Sequence, residues 1–499
     1  MRKEDIKLKP DFMEFQKLFA EYDMVPVYME VLADIETPVS VLARFAEDTE
    51  VFLLESVERE ERFGRYSFIG INPRGVFTIE DGKPYYKETG ESKRELRFVG
   101  TPLNALREFT QCKKVYSKEG FPPLFGGAIG FMGYECINCF EELPSPKTYS
   151  GTPEAAFFLT DEVIGFDNVK YTIKIFICLH KKQFDTPEQA YEYARDRIKS
   201  IRERLKKQPQ YSDEEQIAEK SELESHLSKD KFCKMVQKAK SYIQNGEVIQ
   251  IVLSQKFSAP IHVSALDLYR ALRFINPSPY TFFLKMGNLV LTGSSPETMV
   301  KLENGNSSLR PIAGTRRRGM NLEEDRQLSN ELLSDEKERA EHLMLVDLGR
   351  NDLGRTALPG SVQVKSYMNV EKYSHVMHLV SDVNAILAPQ YDCFDLIRTT
   401  FPAGTVSGAP KIRAMELINE LEEESRGVYA GAIGYISYTG NMDLAIGIRT
   451  VEMRKGQIHI QAGAGIVYDS IPEKEYQETL NKAMALFNAL NLAQKHFII

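Results

Sequence analysis

Short apolar runs closed by turn formers dominate the first part of this chain, and that spacing admits sheets of many short strands rather than a helical bundle. Val51–Leu54, Ser67–Ile71, Val76–Ile79, Phe157–Leu159 and Tyr171–Cys178 read as strands. The run Gly126–Phe131 also reads as extended, its glycines admitting close approach of another backbone. A helix is predicted from Pro187 to about Lys207, with Thr186 as its N-cap. Residues 208–228 are charged and nearly free of large apolar side chains, which marks a connector between a domain at 12–207 and a second at 229–495. Two units also suit 499 residues, too many for one ordinary core. Past the connector, Phe232, Val236, Ala239 and Ile243 repeat at a helical period through Lys229–Gln244, which Asn245-Gly246 ends. Strands at Val248–Phe257, Leu289–Thr292, Val376–Val383, Gly431–Tyr438 and Ile458–Ala462 alternate with two amphipathic helices, Asn330–Leu348 and Pro472–Leu490, the second with Ser470 as its cap. The expected fold is α+β, a large and mainly antiparallel β-sandwich core flanked by helices.

Composition narrows the function classes. A formal net charge of −8 argues against nucleic acid as the main partner. No stretch approaches the ~18 uninterrupted apolar residues of a membrane span. Met1–Pro10 is charged and has no apolar h-region, so a cytoplasmic protein is expected. Cys136 and Cys139 form a CxxC without a second pair, which reads as ordinary reduced cysteine rather than a zinc site.

Several groups invite chemistry, each beside a plainer reading. Glu338 and Glu341 share one helix face, as do Glu475, Glu478 and Lys482 on another. Two such faces could close on a hard divalent cation such as magnesium, or be exposed Glu–Lys pairs. Pro402–Lys411 and Gln461–Gly465 are glycine-rich and could present successive amides to an anion, or be tight turns. Arg449 lies among apolar neighbours and needs either an acidic partner or an anionic ligand. His375 and His378 fall on opposite faces of a strand, which disfavours shared ligation. His378 alone could move a proton near neutral pH or be a satisfied structural histidine.

In this order, the residues resemble the chorismate-utilising enzymes over nearly the whole chain. The matching runs are Gly293–Glu297, Pro311–Thr315, Glu338–Asp352, Gly404–Lys411 and Glu475–Lys482. The resemblance implies that fold and a catalytic domain at 229–495. It implies that Glu341 and Glu478 bind Mg2+ directly, with Glu338 and Glu475 reaching it directly or through water. Magnesium would hold the ring carboxylate of chorismate. Arg449 and Tyr429 would hold the enolpyruvyl carboxylate, with backbone donors from Gly463, Ala464 and Gly465. Thr405 would touch substrate, Lys482 would add positive charge, and Glu297 and His378 are the acid–base candidates. Relatives that attack with water carry a lysine where Gln250 stands, and a carboxamide cannot be that base. Aminodeoxychorismate-forming relatives carry a lysine where Ala313 stands, which offers no nucleophile. Direct attack by ammonia, with loss of pyruvate, is the reaction that remains.

The resemblance extends to an inhibitor site for tryptophan, in keeping with a regulatory domain at 12–207. Leu53–Ser56 and Gly64–Phe68 match one side of it, and Asn276–Tyr280 the other. Its expected residues are Glu55, Ser56, Asn276, Pro277, Ser278, Tyr280, Thr281 and Phe282, with Thr281 where methionine is usual in enteric relatives. The chain has no Gly-x-Cys-x-Gly elbow of its own, so a separate glutamine amidotransferase subunit is expected, in a heterotetramer of two synthase and two amidotransferase subunits. The competing functions are aminodeoxychorismate synthesis and a non-catalytic tryptophan sensor.

Overall fold

The computed structural model describes residues 7–56, 64–144, 148, 151–209, 222–373 and 376–496. Among these residues the strands form two twelve-stranded sheets. In the first, Met24–Leu32 and Thr172–His180 lie at one edge. The order then runs inward through Glu50–Glu55, Tyr280–Met286, Leu289–Ser295, Thr450–Arg454, Gln457–Ile466 and Gln250–Pro260. The second sheet carries Ile312–Arg317 and Val376–Ile386 at one end, with Met442–Ile446, Ala432–Ser437 and Gly127–Met132 at its centre.

Both sheets draw on sequence from either side of 208–228, most of which lies outside the described residues. Leu53 pairs antiparallel with Phe283 in the first sheet, and Gly130 with Gly434 in the second. The glycine at 130 is required there, because a Cβ would stand 1.9 Å from the Ala156 carbonyl oxygen.

The sheets face each other through an aromatic layer. Phe52, Phe68, Phe282 and Leu284 of the first meet Ile129, Phe131, Phe158 and Tyr435 of the second. Each such side chain contributes about 1.5–3 kcal/mol by leaving water. Helices Phe12–Glu21, Pro187–Leu205, Ala265–Ile275 and Pro472–His496 cover the first sheet's outer face. Lys229–Gln244, Cys393–Thr400 and Lys411–Leu421 pack in a core shared by the second sheet and the Gln250–Pro260 and Gln457–Ile466 end of the first. The α+β sandwich expected from the sequence is therefore the fold found.

Three local features differ from the sequence reading. Asn330–Leu348 is not one helix: Leu322–Ser334 ends and Glu336–Gly354 begins at Asp335. Asp335 takes an extended backbone (φ −73°, ψ 110°), and its carboxylate accepts from the Lys337 and Glu338 amides at 3.1 and 3.2 Å. Helical periodicity continues across the break, which is why the pattern hid it, and the cap places Glu338 in a first turn. Ser470 stands one residue ahead of the cap position, because the Lys474 and Glu475 amides close the first turn on the Ile471 carbonyl at 2.9 and 3.1 Å, and its hydroxyl accepts from the Val467 amide at 3.1 Å. Gln461–Gly465 is no loop but lies inside the strand Gln457–Ile466.

Candidate active site

The strand pair Gln250–Pro260 and Gln457–Ile466 forms the floor. Ser254 stands opposite Gly463, and Val252 opposite Gly465. The Ser254 amide donates to Glu422 at 2.8 Å and the Val252 amide to the Ser407 carbonyl at 2.9 Å, both away from the partner strand. In an antiparallel pair these are the non-hydrogen-bonded positions. The amides of Gly463 and Gly465 therefore face outward, past the point where Thr450–Arg454 stops pairing at Val451↔Ile460. The Ala464 amide faces Leu253 and is used within the sheet. Two outward donors replace the three expected from sequence. Lys482 Nζ donates to the Gly463 carbonyl at 2.8 Å, fixing that peptide's orientation, and pairs with Glu478 at 2.7 Å. Any side chain at 463 would strike the Tyr429 hydroxyl, 2.3 Å from a Cβ there.

Arg449 shapes the wall above. It adopts a left-handed φ of +53°, rare for a non-glycine residue. Its carbonyl accepts from the Ser294 amide at 3.1 Å, which pins it to the Gly293–Glu297 segment. Burial lowers the guanidinium's pKa, with Tyr429 and the Glu478 charge acting against it. Among the described residues no carboxylate lies within salt-bridge distance of this side chain. The structural ion pair that the sequence left open is thus not formed. Tyr429 is itself buried, and its phenol is pushed up to about 12. Beneath it Arg426 is held by Glu422 at 2.6 Å.

The two acid–base candidates are tuned in opposite directions by the same cause. Burial drives the Glu297 carboxyl up to about 7, with the nearby Thr405 hydroxyl acting against it. Burial keeps His378 below the usual imidazole range, and the charge of Arg449 adds to that. His378 Nδ1 lies 2.9 Å from the Gly314 carbonyl oxygen and 3.1 Å from Thr315 Oγ1. A carbonyl only accepts, so Nδ1 carries the proton and the neutral ring keeps its lone pair on Nε2. Environments that push two titratable groups apart in this way divide acid from base. His375 lies outside the described residues.

The carboxylates gather where helices Glu336–Gly354 and Pro472–His496 meet the floor. Burial raises the Glu341 carboxyl, and the charges of Glu338 and Glu478 push the same way. Glu475 is raised by burial and then by Glu478, against a hydrogen bond from Ser470. Gln250 Nε2 donates to Glu341 at 3.3 Å. Glu338 is anchored by Arg316 at 3.0 Å. The plain surface pairing that spacing allowed does not describe Glu341, which is half-buried among like charges.

Comparison with known proteins decides the family. Residues 49–488 match the model of the chorismate binding enzymes. Anthranilate synthase component 1 of Acetivibrio thermocellus is 47% identical, over 97% of this chain and 99% of the relative. That of Aquifex aeolicus is 44% identical over 97% and 98%. The chain belongs to the anthranilate synthase component 1 branch of the chorismate-binding enzymes. The crystal structure of anthranilate synthase component I from Streptococcus pneumoniae TIGR4 superposes with a TM-score of 0.75 at 39% identity, covering 91% of this chain and 98% of that one. The menaquinone-specific isochorismate synthase of Escherichia coli shares the fold at a TM-score of 0.69 and 18% identity, covering 96% and 98%.

Seen as a chorismate-binding enzyme, the chain has a second notable cavity, of about 270 Å³ between the sheets. Glu55, Ser56, Tyr280, Thr281 and Phe282 line it as expected. Asn276, Pro277 and Ser278 do not; Asn276 and Ser278 brace the turn behind, through contacts to Ser294 and within the turn. Glu55 is already engaged, by Arg273 at 2.6 Å and by the Tyr269 hydroxyl. Ser56 Oγ is buried without a hydrogen-bond partner. Lys301, Glu303 and Asp443 also line this space and were missed in the sequence. So was Arg316, although the run Arg316-Arg317-Arg318 ahead of an acidic helix was a visible signal.

Proposed function

We propose that this chain aminates chorismate with ammonia and expels pyruvate, forming anthranilate for tryptophan biosynthesis. The observation that carries the reading is the half-buried Arg449, without a carboxylate partner among the described residues, beside two outward amides, in a cleft that also holds an acid and a base of opposite tuning. Arg449, Tyr429 and the Gly463 and Gly465 amides suit the enolpyruvyl carboxylate. Gln250 at the floor is bonded to Glu341 and offers no base, which favours a nucleophile that needs no activation.

Ammonia adds at ring C2 while the C4 hydroxyl leaves as water, taking its proton from Glu297. His378 Nε2 then removes the C2 proton, the C3–oxygen bond breaks, and the released enol becomes pyruvate as the ring aromatises. The resulting division of labour makes Glu297 the acid and His378 the base.

Magnesium suits the carboxylate cluster. The donors are hard oxygens whose mutual repulsion a cation would relieve, with Glu341 and Glu478 as direct ligands and Glu338 and Glu475 reaching directly or through water. Among the described residues no three such side chains form a ready-made metal site by themselves. When bound, the ion would neutralise and orient the ring carboxylate.

The relatives' name "component 1" implies a partner component, which in this reading is a glutamine amidotransferase subunit supplying the nitrogen, and tryptophan occupies the inter-sheet cavity as feedback inhibitor. Incubation of the chain with chorismate, magnesium and ammonium, followed by anthranilate fluorescence and product chromatography, tests the central reading. An aminated product that keeps its enolpyruvyl group would move it to aminodeoxychorismate synthesis, and no turnover would leave only a sensor.

A further inference from the structure

The floor strands run on past the catalytic groups into a cavity that the amination chemistry leaves unused. Side chains alternate across a strand, so positions 250, 254 and 256 share one face with 459, 461 and 463 of the partner strand. Gln250 marks the carboxylate end of that face, through its bond to Glu341. Lys256 stands opposite Gln461, two residues beyond the Ser254–Gly463 pair and about 7 Å further along. There the space opens into a cavity of about 230 Å³. Tyr429 is the partition, since it lines this cavity while its hydroxyl stands against Gly463 in the cleft. A neighbouring cavity of about 210 Å³ shares His226, Lys256, Glu424 and Gln461 with the first and extends to Lys231 and Lys234. Both of those lysines are exposed, so the two cavities together lead from Tyr429 to the surface.

The carboxylates along this path are already engaged. Glu422 pairs with Arg426 at 2.6 Å and Glu452 with Arg454 at 2.5 Å. Glu424 is bonded to His226 Nδ1 at 3.2 Å, and Glu423 lies 4.0 Å from Lys231. Lys256 is left with Glu424 at 3.9 Å and has no closer carboxylate among the described residues. Its side chain is 12% exposed, and burial lowers the pKa of its ammonium against the pull of Glu424. A buried ammonium without a close counter-charge is costly unless an anion completes it. The cleft and the cavity thus each hold one under-matched cation, Arg449 and Lys256.

We infer that this cavity is a second carboxylate site, which takes pyruvate as it leaves the cleft and holds it against Lys256. The inference rests on the amination reading above. In that reading the ring carboxylate of chorismate points to the metal end of the floor and the enolpyruvyl carboxylate to Arg449 and Tyr429. When the C3–oxygen bond breaks, the three-carbon acid is therefore on the Tyr429 side, with the ring between it and the metal end. The cavity adjoins it across Tyr429, is wide enough for so small an acid, and presents a cation that one carboxylate satisfies. Lys231 and Lys234 at the outer end then favour passage of an anion to solvent.

The test is product inhibition of ammonium-dependent anthranilate formation by the full chain. With pyruvate in its own cavity chorismate can still bind, so inhibition should be noncompetitive toward chorismate. Lys256→Met should raise the inhibition constant of pyruvate by about tenfold or more, roughly 1.4 kcal/mol of lost binding, with KM for chorismate close to wild type. Lys256→Arg keeps the charge and should keep the constant near its original value. Competitive inhibition, or a constant unchanged in Lys256→Met, would overturn the inference, because pyruvate would then bind only where the substrate does. Equally strong inhibition by inorganic phosphate, lost in the same variant, would also overturn it, since the cavity would then be an anion site with no preference for the product. Lys256→Gln repeats the comparison should methionine disturb the fold, which KM for chorismate reports. Equilibrium dialysis of labelled pyruvate against the unsubstituted chain and Lys256→Met decides the same point without turnover, and binding that does not weaken in the variant would sink the site. Absence of anthranilate from ammonium in the unsubstituted chain would instead remove the amination reading itself.

Discussion

The two buried sites treat charge in opposite ways. In the catalytic cleft, Arg449 has no carboxylate partner among the described residues, Glu297 is held near 7, and Glu341 sits among repelling neighbours. In the inter-sheet cavity, Glu55 is matched by Arg273 and Tyr269, and Asp443 by the Tyr280 hydroxyl at 2.8 Å. The Ser56 hydroxyl there is buried without a partner among the described residues. A site that must stabilise charge developing on substrate keeps some of its charges unmatched, here Arg449 and Glu341, while Glu338 and Glu478 pair with Arg316 and Lys482, and each unmatched group costs folding energy. A site that only senses a ligand can be neutral before the ligand arrives. The difference predicts which substitutions ruin turnover, which alter stability, and which alter only regulation.

The largest effect is expected where the repulsion is strongest. Glu341→Gln or Glu478→Gln should lower anthranilate formation by roughly 10³-fold, the scale of losing a transition-state electrostatic stabiliser. A chelator should abolish wild-type turnover, with recovery on adding magnesium. Near-normal rates for either variant in magnesium-limited buffer would remove these residues from the ligand set and erase half of the contrast.

Glu297→Gln comes next, with a loss of about 10²–10³-fold, as for removal of a general acid. The pH profile checks the assignment independently. Glu297 is raised to about 7, so it is protonated below that value and loses its proton above it. His378 is depressed, so it stays neutral until pH falls through its lowered pKa. At fixed free-ammonia concentration, kcat should fall as pH rises through about 7 and also fall in acid. A profile that keeps rising above 7 would exclude Glu297 as the acid.

The stability contrast is smaller and has opposite signs in the two sites. Arg449→Met removes a half-buried charge with no carboxylate partner among the described residues and should raise stability by up to about 1 kcal/mol while raising KM for chorismate steeply. Glu55→Gln removes the partner of Arg273, whose side chain is 37% exposed, and should lower stability by about 1–3 kcal/mol, less than for a fully buried pair. Urea midpoints of both variants decide. If Arg449→Met destabilises, the guanidinium has a partner in solution that the comparison omits.

The sandwich and the outline of the candidate site could be read from the sequence because each rests on local pattern or on long motif runs. Gln457–Ile466 alternates and ends as a strand should, and Glu475 with Glu478 follows helical spacing. What escaped depends on contacts distant in sequence. The break at Asp335 keeps helical periodicity and shows itself only in backbone angles. The direction of the Ala464 amide depends on register with Leu253, more than two hundred residues earlier. The neutralisation of Glu55 requires helix Ala265–Ile275 to bring Tyr269 and Arg273, four residues apart, over a strand from the start of the chain. No local rule gives these pairings, because burial and partner choice are properties of the assembled sheets.

The smallest expected effect is regulatory, and it isolates the sensing cavity from the chemistry. Ser56 ends the strand Glu50–Glu55, which pairs with Tyr280–Met286, so the cavity is walled by both halves of the sequence. Tryptophan bound there would join these walls and favour one arrangement of them over another. Its influence on the cleft is then a coupling free energy, which for allosteric pairs is typically ~1–3 kcal/mol. The orphan Ser56 hydroxyl is suited to a polar group of the inhibitor, while Glu55, held by Arg273, contributes shape more than free charge. Ser56→Phe replaces that hydroxyl with a ring directed into the same space. Inhibition by tryptophan should weaken by about tenfold, roughly 1.4 kcal/mol, and uninhibited turnover should stay near wild type because no catalytic group is touched. Dose–response curves at fixed chorismate measure the shift, and Ser56→Ala separates loss of the hydroxyl from filling of the cavity. Inhibition that is unchanged in both variants would place tryptophan elsewhere, or in competition at Arg449, and the two buried sites would then differ in charge but not in role.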